Sequence, residues 1–194
     1  MDFSTPSHVQ DLARRVRHFV DDEVLPMEKY VMQHDELPMD MLQAVRQKAK
    51  AAGLWAPTMP PELGGLGLPL QDWMTVFEAA GRSLLGPLSI HCGAPDEGNM
   101  HLLHTYASEE QQKRYLKPLV AGEIFSGFSM TEPPPGAGSD PTMLQTTAVR
   151  DGDEWVINGH KWFTSNGEVA SFLIIMARTN PDVPAHKGAT LFLA

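Results

Sequence analysis

Cysteine is nearly missing from this sequence, and so are long apolar runs. The single Cys92 among 194 residues excludes an internal disulfide and a cysteine-rich metal site. Such sparing use of cysteine is typical of a reducing compartment. Because the first residues, MDFSTPSHVQDLARR, contain no apolar run that suits a signal peptide or a membrane span, we expect a cytoplasmic protein that does not enter a membrane.

Positive charge is also scarce. The chain has 15 Lys and Arg against 24 Asp and Glu, which gives a net charge of -9 at pH 7. Without a basic cluster, this balance argues against binding to nucleic acid or to an anionic membrane surface. His101 and His104 lie one helical turn apart, but no third ligand accompanies them, so no metal site is predicted.

The first 123 residues have the hydrophobic period of helices. Apolar residues at three- and four-residue spacing predict a first helix over residues 4–30, which Pro26 should end or bend. Four further helices are expected, over residues 38–52, through 73–80, over 96–106, and from Ser108 through the run EEQQKRYLKPLV, which ends near Pro118 and before Gly122. Between the second and the third helix, the run WAPTMPPELGGLGLP predicts a tight surface or cleft-lining loop.

From residue 124 onward the pattern changes to strands. The six runs are IFSGFSM, LQTTAVR, EWVING, HKWFTSN, SFLIIMA and GATLFLA, and Asp151-Gly152 predicts a hairpin turn between the second and the third. Because no helical stretch separates the runs, we expect an antiparallel sheet. Six strands are fewer than the roughly eight of a small filled barrel, and the last run has no turn after it.

These patterns predict an α+β fold of two domains. Residues 1–123 should form an all-α helical bundle, and residues 124–194 should form an incomplete antiparallel β-barrel or sandwich. We expect the chain to be truncated within this second domain.

The segment FSGFSMTEPPPGAGSDP, residues 125–141, combines a strand with a loop rich in glycine, proline and hydroxyl groups. Gly136 and Gly138 allow the backbone to approach a ligand closely, and the N–H groups of such a loop can bind a phosphate or the polar edge of a flavin. A β-turn held by proline and glycine would explain the same residues without any ligand.

This segment resembles the acyl-CoA dehydrogenase signature T-E-P-G-A-G-S-D, in Met130–Pro133 followed by Gly136–Asp140. Pro134 and Pro135 lengthen the loop by two residues relative to that signature. The resemblance implies that the strand and loop contact the flavin of FAD and that the loop serine also reaches the acyl-CoA. Carried over by position, these residues are Phe128, Met130 and Thr131 for FAD, and Ser139 for FAD and acyl-CoA.

A second segment, WVINGHKWFTSNGE, resembles the same family's Y-x-I-N-G-x-K-x-W-I-T-N-G. Phe163 stands where tryptophan is usual, Thr164 follows it, and Ser165 stands where threonine is usual near flavin N5. Phenylalanine can stack on a flavin as tryptophan does, and serine can donate the hydrogen bond of threonine. The runs PPELGGLGLP and SEEQQKRYLKPLVAGE resemble family segments in the helical half, so the likeness covers nearly the whole chain.

The resemblance implies an FAD-dependent acyl-CoA dehydrogenase of fatty acid metabolism, which converts an acyl-CoA thioester to a 2-enoyl-CoA. In that family the catalytic base comes from a C-terminal helical domain, so no catalytic residue is expected in this chain. Glu132 is assigned to the framework of the loop and not to the role of base. Expected partners are an electron-transferring flavoprotein or a similar acceptor, further copies of the chain, or a separate chain that carries the C-terminal domain.

Two other classes of function remain open. The chain could be a non-catalytic flavin-binding or assembly subunit, or it could be the corresponding part of an acyl-CoA oxidase or flavin monooxygenase of the same fold. The residues quoted above do not separate these classes, because oxygen reactivity cannot be read from them.

Overall fold

The computed structural model describes residues 4–136 and 138–194 and divides into two compact units, Met1–Glu123 and Ile124–Ala194. Ala137, which belongs to the first signature-like segment, lies outside the described residues. The first unit is helical and the second contains an open sheet, so the expected fold of a helical part followed by an incomplete β part is confirmed.

The helical unit begins with a long helix that continues through Pro26, although the sequence predicts that this proline ends or bends it. A π-helical turn, Val20–Val24, precedes the proline, and the Leu25 N–H bonds to the Val20 carbonyl five residues back. The wider turn accommodates a residue that lacks an N–H and whose ring would otherwise crowd the preceding turn. The helix ends at Asp35, which takes a left-handed conformation with φ of 53°.

The same arrangement occurs a second time, at Pro118. There the π-helical turn is Gln112–Leu116, and the helix ends at Val120, the last residue of the predicted helical run and before Gly122. At its start the capping box is present, because the Ser108 hydroxyl accepts from the Gln111 N–H and the Gln111 side chain accepts from the Ser108 N–H.

Most α-helices of this unit bury one face, and their bounds mostly follow the hydrophobic period. The unit's core contains aliphatic side chains from the first, third, fourth and sixth of them, including Val9, Leu42, Val76 and Met100. In chain order the α-helices are α1 (Ser7–Phe19), α2 (Leu25–His34), α3 (Met39–Ala51), α4 (Leu70–Ala80), α5 (Gly86–Ser89), α6 (Asp96–Tyr106), α7 (Glu109–Gln111) and α8 (Lys117–Val120).

The second unit is a five-stranded sheet in the order β1-β4-β2-β3, with β5 paired to the other edge of β4. Buried residues of β4, namely Phe172, Ile174 and Ala177, form the centre of its core. A short helix, α9 (Ala185–Gly188), joins the last two strands. The strands are β1 (Ser126–Ser129), β2 (Thr147–Asp151), β3 (Glu154–Asn158), β4 (Phe172–Arg178) and β5 (Ala189–Leu193).

The expectation of a wholly antiparallel sheet is wrong, because the sheet is mixed. β2 pairs antiparallel with β3, and β4 with β5, but β1 runs parallel to β4. A parallel pair needs a crossover of a dozen or more residues, which is usually a helix. Here the β2–β3 hairpin and the loops around it connect β1 to β4 and provide that crossover. The lack of a helical stretch between the strand runs therefore did not predict the direction of the strands.

The run HKWFTSN is not a strand, in contrast to its predicted assignment. Residues 159–170 form turns and irregular structure, and both Phe163 and Asn166 have left-handed backbone angles, with φ of 52° and 62°. These angles are incompatible with a β-ladder. In the part of the chain that the structure describes, no helix is long and apolar enough to cross a membrane.

Candidate functional site

The two signature-like segments of the β unit lie side by side. The Trp162 N–H donates to the Thr131 carbonyl at 3.1 Å, and Nζ of Lys161 donates to the Met130 carbonyl at 2.9 Å. The contacting residues are about thirty positions apart in the sequence, so this contact is a product of the tertiary fold. The residues selected from the sequence on resemblance alone therefore come from two neighbouring stretches of backbone.

Strand β1 and the second segment are also in direct contact. The hydroxyl groups of Ser129 and Thr164 lie 3.1 Å apart, and Nδ2 of Asn166 donates to the Ser126 carbonyl at 3.2 Å. Gly127 lies between these contacts. A Cβ atom at position 127 would lie only 2.6 Å from the Leu173 side chain and 3.2 Å from the Ser165 carbonyl oxygen. The absence of a side chain at Gly127 therefore permits the close approach.

Two consecutive aromatic rings form an exposed surface beside this contact. The ring centroids of Trp162 and Phe163 are 4.6 Å apart with an interplanar angle of 41°, and the two residues are 39% and 80% exposed. In an extended strand, consecutive side chains point to opposite faces. Here the left-handed backbone at Phe163 breaks the strand geometry. Such strain persists only where the surrounding structure enforces it, and it is common at functional sites.

The predicted FAD-contacting residues differ in exposure. Phe163 and Ser165 are exposed, whereas four others, Phe128, Met130, Thr131 and Thr164, are half-buried between the two segments. Ser139 is exposed in a turn that follows Gly138, farther along the loop. The structure thus brings six of the seven predicted residues onto adjacent stretches, and it locates Ser139 on the loop beyond them.

Glu132 is the buried charge that connects the loop to its surroundings. Its side chain accepts the N–H groups of Gln145 and Thr146, each at 2.8 Å, and Nζ of Lys161 at 2.9 Å. Burial raises the pKa of Glu132, but hydrogen bonds from Thr146, Lys161 and Gln145 outweigh that effect and hold the pKa at about 2. A carboxylate so strongly stabilised in its ionised form is a poor base, which supports its assignment to the framework.

Comparison with known proteins identifies the family. The model of the acyl-CoA dehydrogenase N-terminal domain matches residues 6–123, and the model of the acyl-CoA dehydrogenase middle domain matches residues 127–194. The chain belongs to the acyl-CoA dehydrogenase family. The two matched domains correspond to the helical and the β unit, and both signature-like segments fall in the middle domain.

Individual relatives agree with this family. FadE2 of Mycobacterium tuberculosis, a probable acyl-CoA dehydrogenase, is 36% identical over 203 residues, which cover 100% of this chain and 49% of FadE2. A solved structure from Mycobacterium abscessus, assigned to the acyl-CoA dehydrogenases, has a TM-score of 0.91 and 37% identity over 98% of this chain and 51% of its own. A glutaryl-CoA dehydrogenase from Mycobacterium smegmatis in complex with FADH2 has a TM-score of 0.76 and 25% identity, over 97% and 45% of the two chains. The chain spans about half the length of these relatives.

The residues of the acyl-CoA dehydrogenase middle domain present here fit a flavin. A flavin needs an apolar surface for its ring system and polar groups for its edge. The exposed ring of Phe163 meets the first need, and the nearby hydroxyl groups of Thr131, Thr164 and Ser165 meet the second. The lengthened loop adds a pocket of about 300 Å³, lined by Pro133–Gly136, Gln145, Thr146, Gly159 and His160.

Sequence reasoning missed Lys161 and Trp162 as residues of this site. The family pattern contains a lysine at the position of Lys161, so the resemblance could have drawn attention to it. Nothing in the sequence pairs Lys161 with Glu132, which is 29 residues away. Trp162 falls where the family pattern is variable, and its contact with Phe163 depends on the left-handed backbone.

The helical unit contains a second concave surface. A pocket of about 350 Å³ is lined by Leu63, Gly64 and Leu66 of the Pro- and Gly-rich loop, together with Lys50, Gly53, Trp55, Val120 and Ala121. The ammonium of Lys50 donates to the Ala121 carbonyl at 2.6 Å and lies 4.6 Å from the centroid of the Trp55 ring. The loop therefore lines a cleft, which is one of the two roles predicted for it.

In the helical unit, His101 lies within hydrogen-bonding distance of neighbouring side chains and Cys92 is buried. Nε2 of His101 lies 3.0 Å from Glu97 and 3.0 Å from the Thr58 hydroxyl. Cys92 is buried, and burial, followed by the charge of Glu97, raises the pKa of its thiol to about 12. Within residues 4–136 and 138–194 no group of three or more His, Cys, Asp or Glu could hold a metal ion.

Proposed function

We propose that this chain is the FAD- and acyl-CoA-binding portion of an acyl-CoA dehydrogenase, which introduces a double bond between the α- and β-carbons of an acyl-CoA thioester. The observation that carries the proposal is the direct pairing of the two signature-like segments, through the Trp162 N–H and the Thr131 carbonyl at 3.1 Å. This pairing joins residues that the family uses for one ligand. The FADH2 complex of the glutaryl-CoA dehydrogenase relative supports FAD as the cofactor.

Each segment would have a separate part in holding the cofactor. Phe163 would pack its ring against the flavin, while Ser165 would donate a hydrogen bond to it. Phe128, Met130 and Thr131 would contact the flavin's polar edge through main-chain groups and the Thr131 hydroxyl. When bound, FAD would supply the redox chemistry by accepting a hydride from the acyl chain.

The acyl-CoA would lie along the loop that ends at Ser139. That hydroxyl is exposed in its turn, so a ligand can reach it without displacing the core. Glu132 would not abstract the substrate proton, because its pKa of about 2 leaves it a weak base. The base would come from the family's C-terminal domain. An electron-transferring flavoprotein or a similar acceptor would then reoxidise the enzyme, and the active assembly would contain further copies or a second chain.

Visible absorption spectroscopy of the purified chain with added FAD tests the proposal. We expect a bound spectrum whose peaks are shifted from those of free FAD. Phe163→Leu, which removes the ring and keeps an apolar side chain, should weaken FAD binding about tenfold. Tyr106→Leu is the matched control, since Tyr106 is an exposed aromatic residue of α6 outside the two segments, and its replacement should leave FAD affinity unchanged.

Each outcome has a direct meaning. If no FAD binds, the residues 6–123 and 127–194 do not form a sufficient flavin site, and the proposal for this chain is wrong. If acyl-CoA bleaches the bound flavin, a catalytic base lies within this chain, and the assignment of the base to another domain is wrong. Rapid reoxidation of the bleached flavin by dissolved oxygen would favour an oxidase over a dehydrogenase.

A further inference from the structure

We propose that Glu132 and Lys161 are positioning residues of the flavin site, whose ion pair sets the register between the loop after β1 and the segment 159–167. This inference rests on the proposed function, because the two stretches that the pair joins are the ones assigned there to FAD. It concerns residues that hold the site in place, and neither residue is assigned a contact with the cofactor.

The contacts of Lys161 show how the register is set. Its Nζ donates to the Met130 carbonyl at 2.9 Å and to Oε1 of Glu132 at 2.9 Å, so the ammonium bonds to the residues on both sides of Thr131. The next residue, Trp162, donates its N–H to the Thr131 carbonyl. Three consecutive residues of the loop are therefore bound by two consecutive residues of the segment. A slip of one residue would break all three hydrogen bonds.

The carboxylate of Glu132 connects this arrangement to the rest of the β unit. Besides Lys161, it accepts the N–H groups of Gln145 and Thr146, just before β2. The main chain of Glu132 also forms two hydrogen bonds with Gly138, each at 3.1 Å, which close the loop. One residue thereby joins the loop to itself, to the start of β2 and to the segment 159–167.

Because the Glu132–Lys161 ion pair is buried, it favours one register of the two stretches over the others. The side chains of Lys161 and Glu132 are only 12% and 2% exposed. A charge removed from water to this extent needs a partner, and the removal of one member leaves the other uncompensated. Any alternative register would separate the two charges and so would be strongly disfavoured.

The position of the pair explains how the strained residue is held. Phe163 has a left-handed φ of 52° and an 80% exposed ring, so its own packing cannot enforce its conformation. Hydrogen bonds on both sides of Phe163 hold the backbone instead. The two preceding residues, Lys161 and Trp162, bond to the loop after β1, and Asn166, three residues later, bonds to the Ser126 carbonyl. The ion pair is the charged part of this constraint.

Amide hydrogen exchange measured residue by residue tests the proposal without any cofactor. In Glu132→Gln and in Lys161→Met, the Trp162 amide should exchange at least about tenfold faster relative to wild type, because its register is no longer held. The Leu173 amide, which donates to the Ala194 carbonyl at 2.8 Å, should keep its exchange rate within about threefold, as it reports the pairing at the β4–β5 edge of the sheet, away from the ion pair. Glu154→Gln, the same chemical change at an exposed position of β3, is the matched control and should alter neither rate.

A double variant covers the case in which a single variant does not fold. Glu132→Gln combined with Lys161→Met removes both charges while keeping the side-chain volumes similar, so no charge is left buried alone. Faster exchange of Trp162 with a protected Leu173 would support the proposal. If the Trp162 amide of the double variant exchanges at the wild-type rate, the ion pair does not set the register and the proposal is overturned. Equal acceleration at Trp162 and Leu173 would also overturn it, because the pair would then act on global stability alone.

FAD titrations of the same proteins separate this inference from the proposed function. If wild type binds FAD, the double variant should bind it at least about tenfold more weakly, while Glu154→Gln should bind it normally. Unchanged FAD affinity in a double variant with altered exchange would show that the register does not matter for the cofactor. If wild type binds no FAD, the proposed function of this chain fails, and the exchange data alone then decide the role of the pair.

Discussion

The imidazole of His91 lies flat against the indole of Trp55, with ring centroids 4.6 Å apart and planes 11° apart. Nε2 of His91 donates to the Leu119 carbonyl, and Nε1 of Trp55 donates to the Val120 carbonyl, each at 2.8 Å. The stacked rings thus bind two consecutive carbonyls at the end of α8. This links the loop before α6 to the C-terminal end of the helical unit's last helix.

His91 should make the stability of the helical unit depend on pH. Burial, together with the positive charges of Arg46 and Lys50, lowers the pKa of His91 to about 3. Between pH 6.5 and 3 the unfolded chain therefore binds a proton that the folded chain does not. The free energy of unfolding should fall as the pH falls through this range, by up to about 1.4 kcal/mol per pH unit, and should show no contribution from His91 above it.

Urea unfolding followed by circular dichroism at pH 7, 6 and 5 measures this dependence. His91→Asn, which tolerates the left-handed φ of 60° at this position, should lose most of the slope. His104→Asn replaces an exposed histidine of α6 and should keep the slope of the wild type. An unchanged slope in His91→Asn would contradict the assignment of this titration to His91.

Glu132 should affect the free energy of unfolding in a lower pH range than His91 does. Its pKa is about 2 in the folded chain, below the value of 4.5 for an ordinary glutamate, so its stabilising contribution is complete above pH 4.5. It should decline as the pH falls from 4.5 toward 2, by about 3 kcal/mol in all. Unfolding free energies of wild type and Glu132→Gln should differ most near pH 5 and converge near pH 2. A difference that stays constant across this range would show that the ionised carboxylate is not the source.

Gly127→Ala should disturb the site through packing. The added methyl group would lie 2.6 Å from the Leu173 side chain and 3.2 Å from the Ser165 carbonyl oxygen, so strand and segment must separate. We expect a loss of about 1–3 kcal/mol in unfolding free energy and a weaker affinity for FAD. Gly98→Ala is the control, because a Cβ at this exposed position of α6 meets nothing within 4 Å. That variant should be stabilised by about 0.5–1 kcal/mol, and its FAD binding should not change.

Phe163→Gly should lower the affinity for FAD while changing the stability of the chain only slightly. Relief of the left-handed backbone, worth about 1 kcal/mol, nearly offsets the greater chain entropy of glycine, so the unfolding free energy should change by less than about 1 kcal/mol. FAD affinity should nevertheless fall, because the exposed ring is gone. Leu191→Gly, which puts glycine in the strand β5 outside the two segments, should destabilise the chain by more than about 1 kcal/mol and leave FAD affinity unchanged. A large loss of stability in Phe163→Gly would mean that its backbone is not strained.

Local chemistry explains which parts of the fold were predictable. The capping box at Ser108 and the helix over Asp96–Tyr106 follow from residues within one or two turns of each other, and both were confirmed. The continuation of helices through Pro26 and Pro118 depends on π-helical turns, for which the sequence has no comparable signal. The sequence therefore did not reveal that the first helix extends to His34.

Period, turn chemistry and motif spacing are local properties, so they were enough to predict a helical part and a strand part and to select the family and the candidate residues. The parallel pairing of β1 with β4 and the turn conformation of HKWFTSN became visible only in the folded chain. The same holds for the ion pair between Lys161 and Glu132. Strand direction, a left-handed Phe163 and a buried ion pair all depend on residues distant in the sequence, whose contacts exist only after the chain has folded.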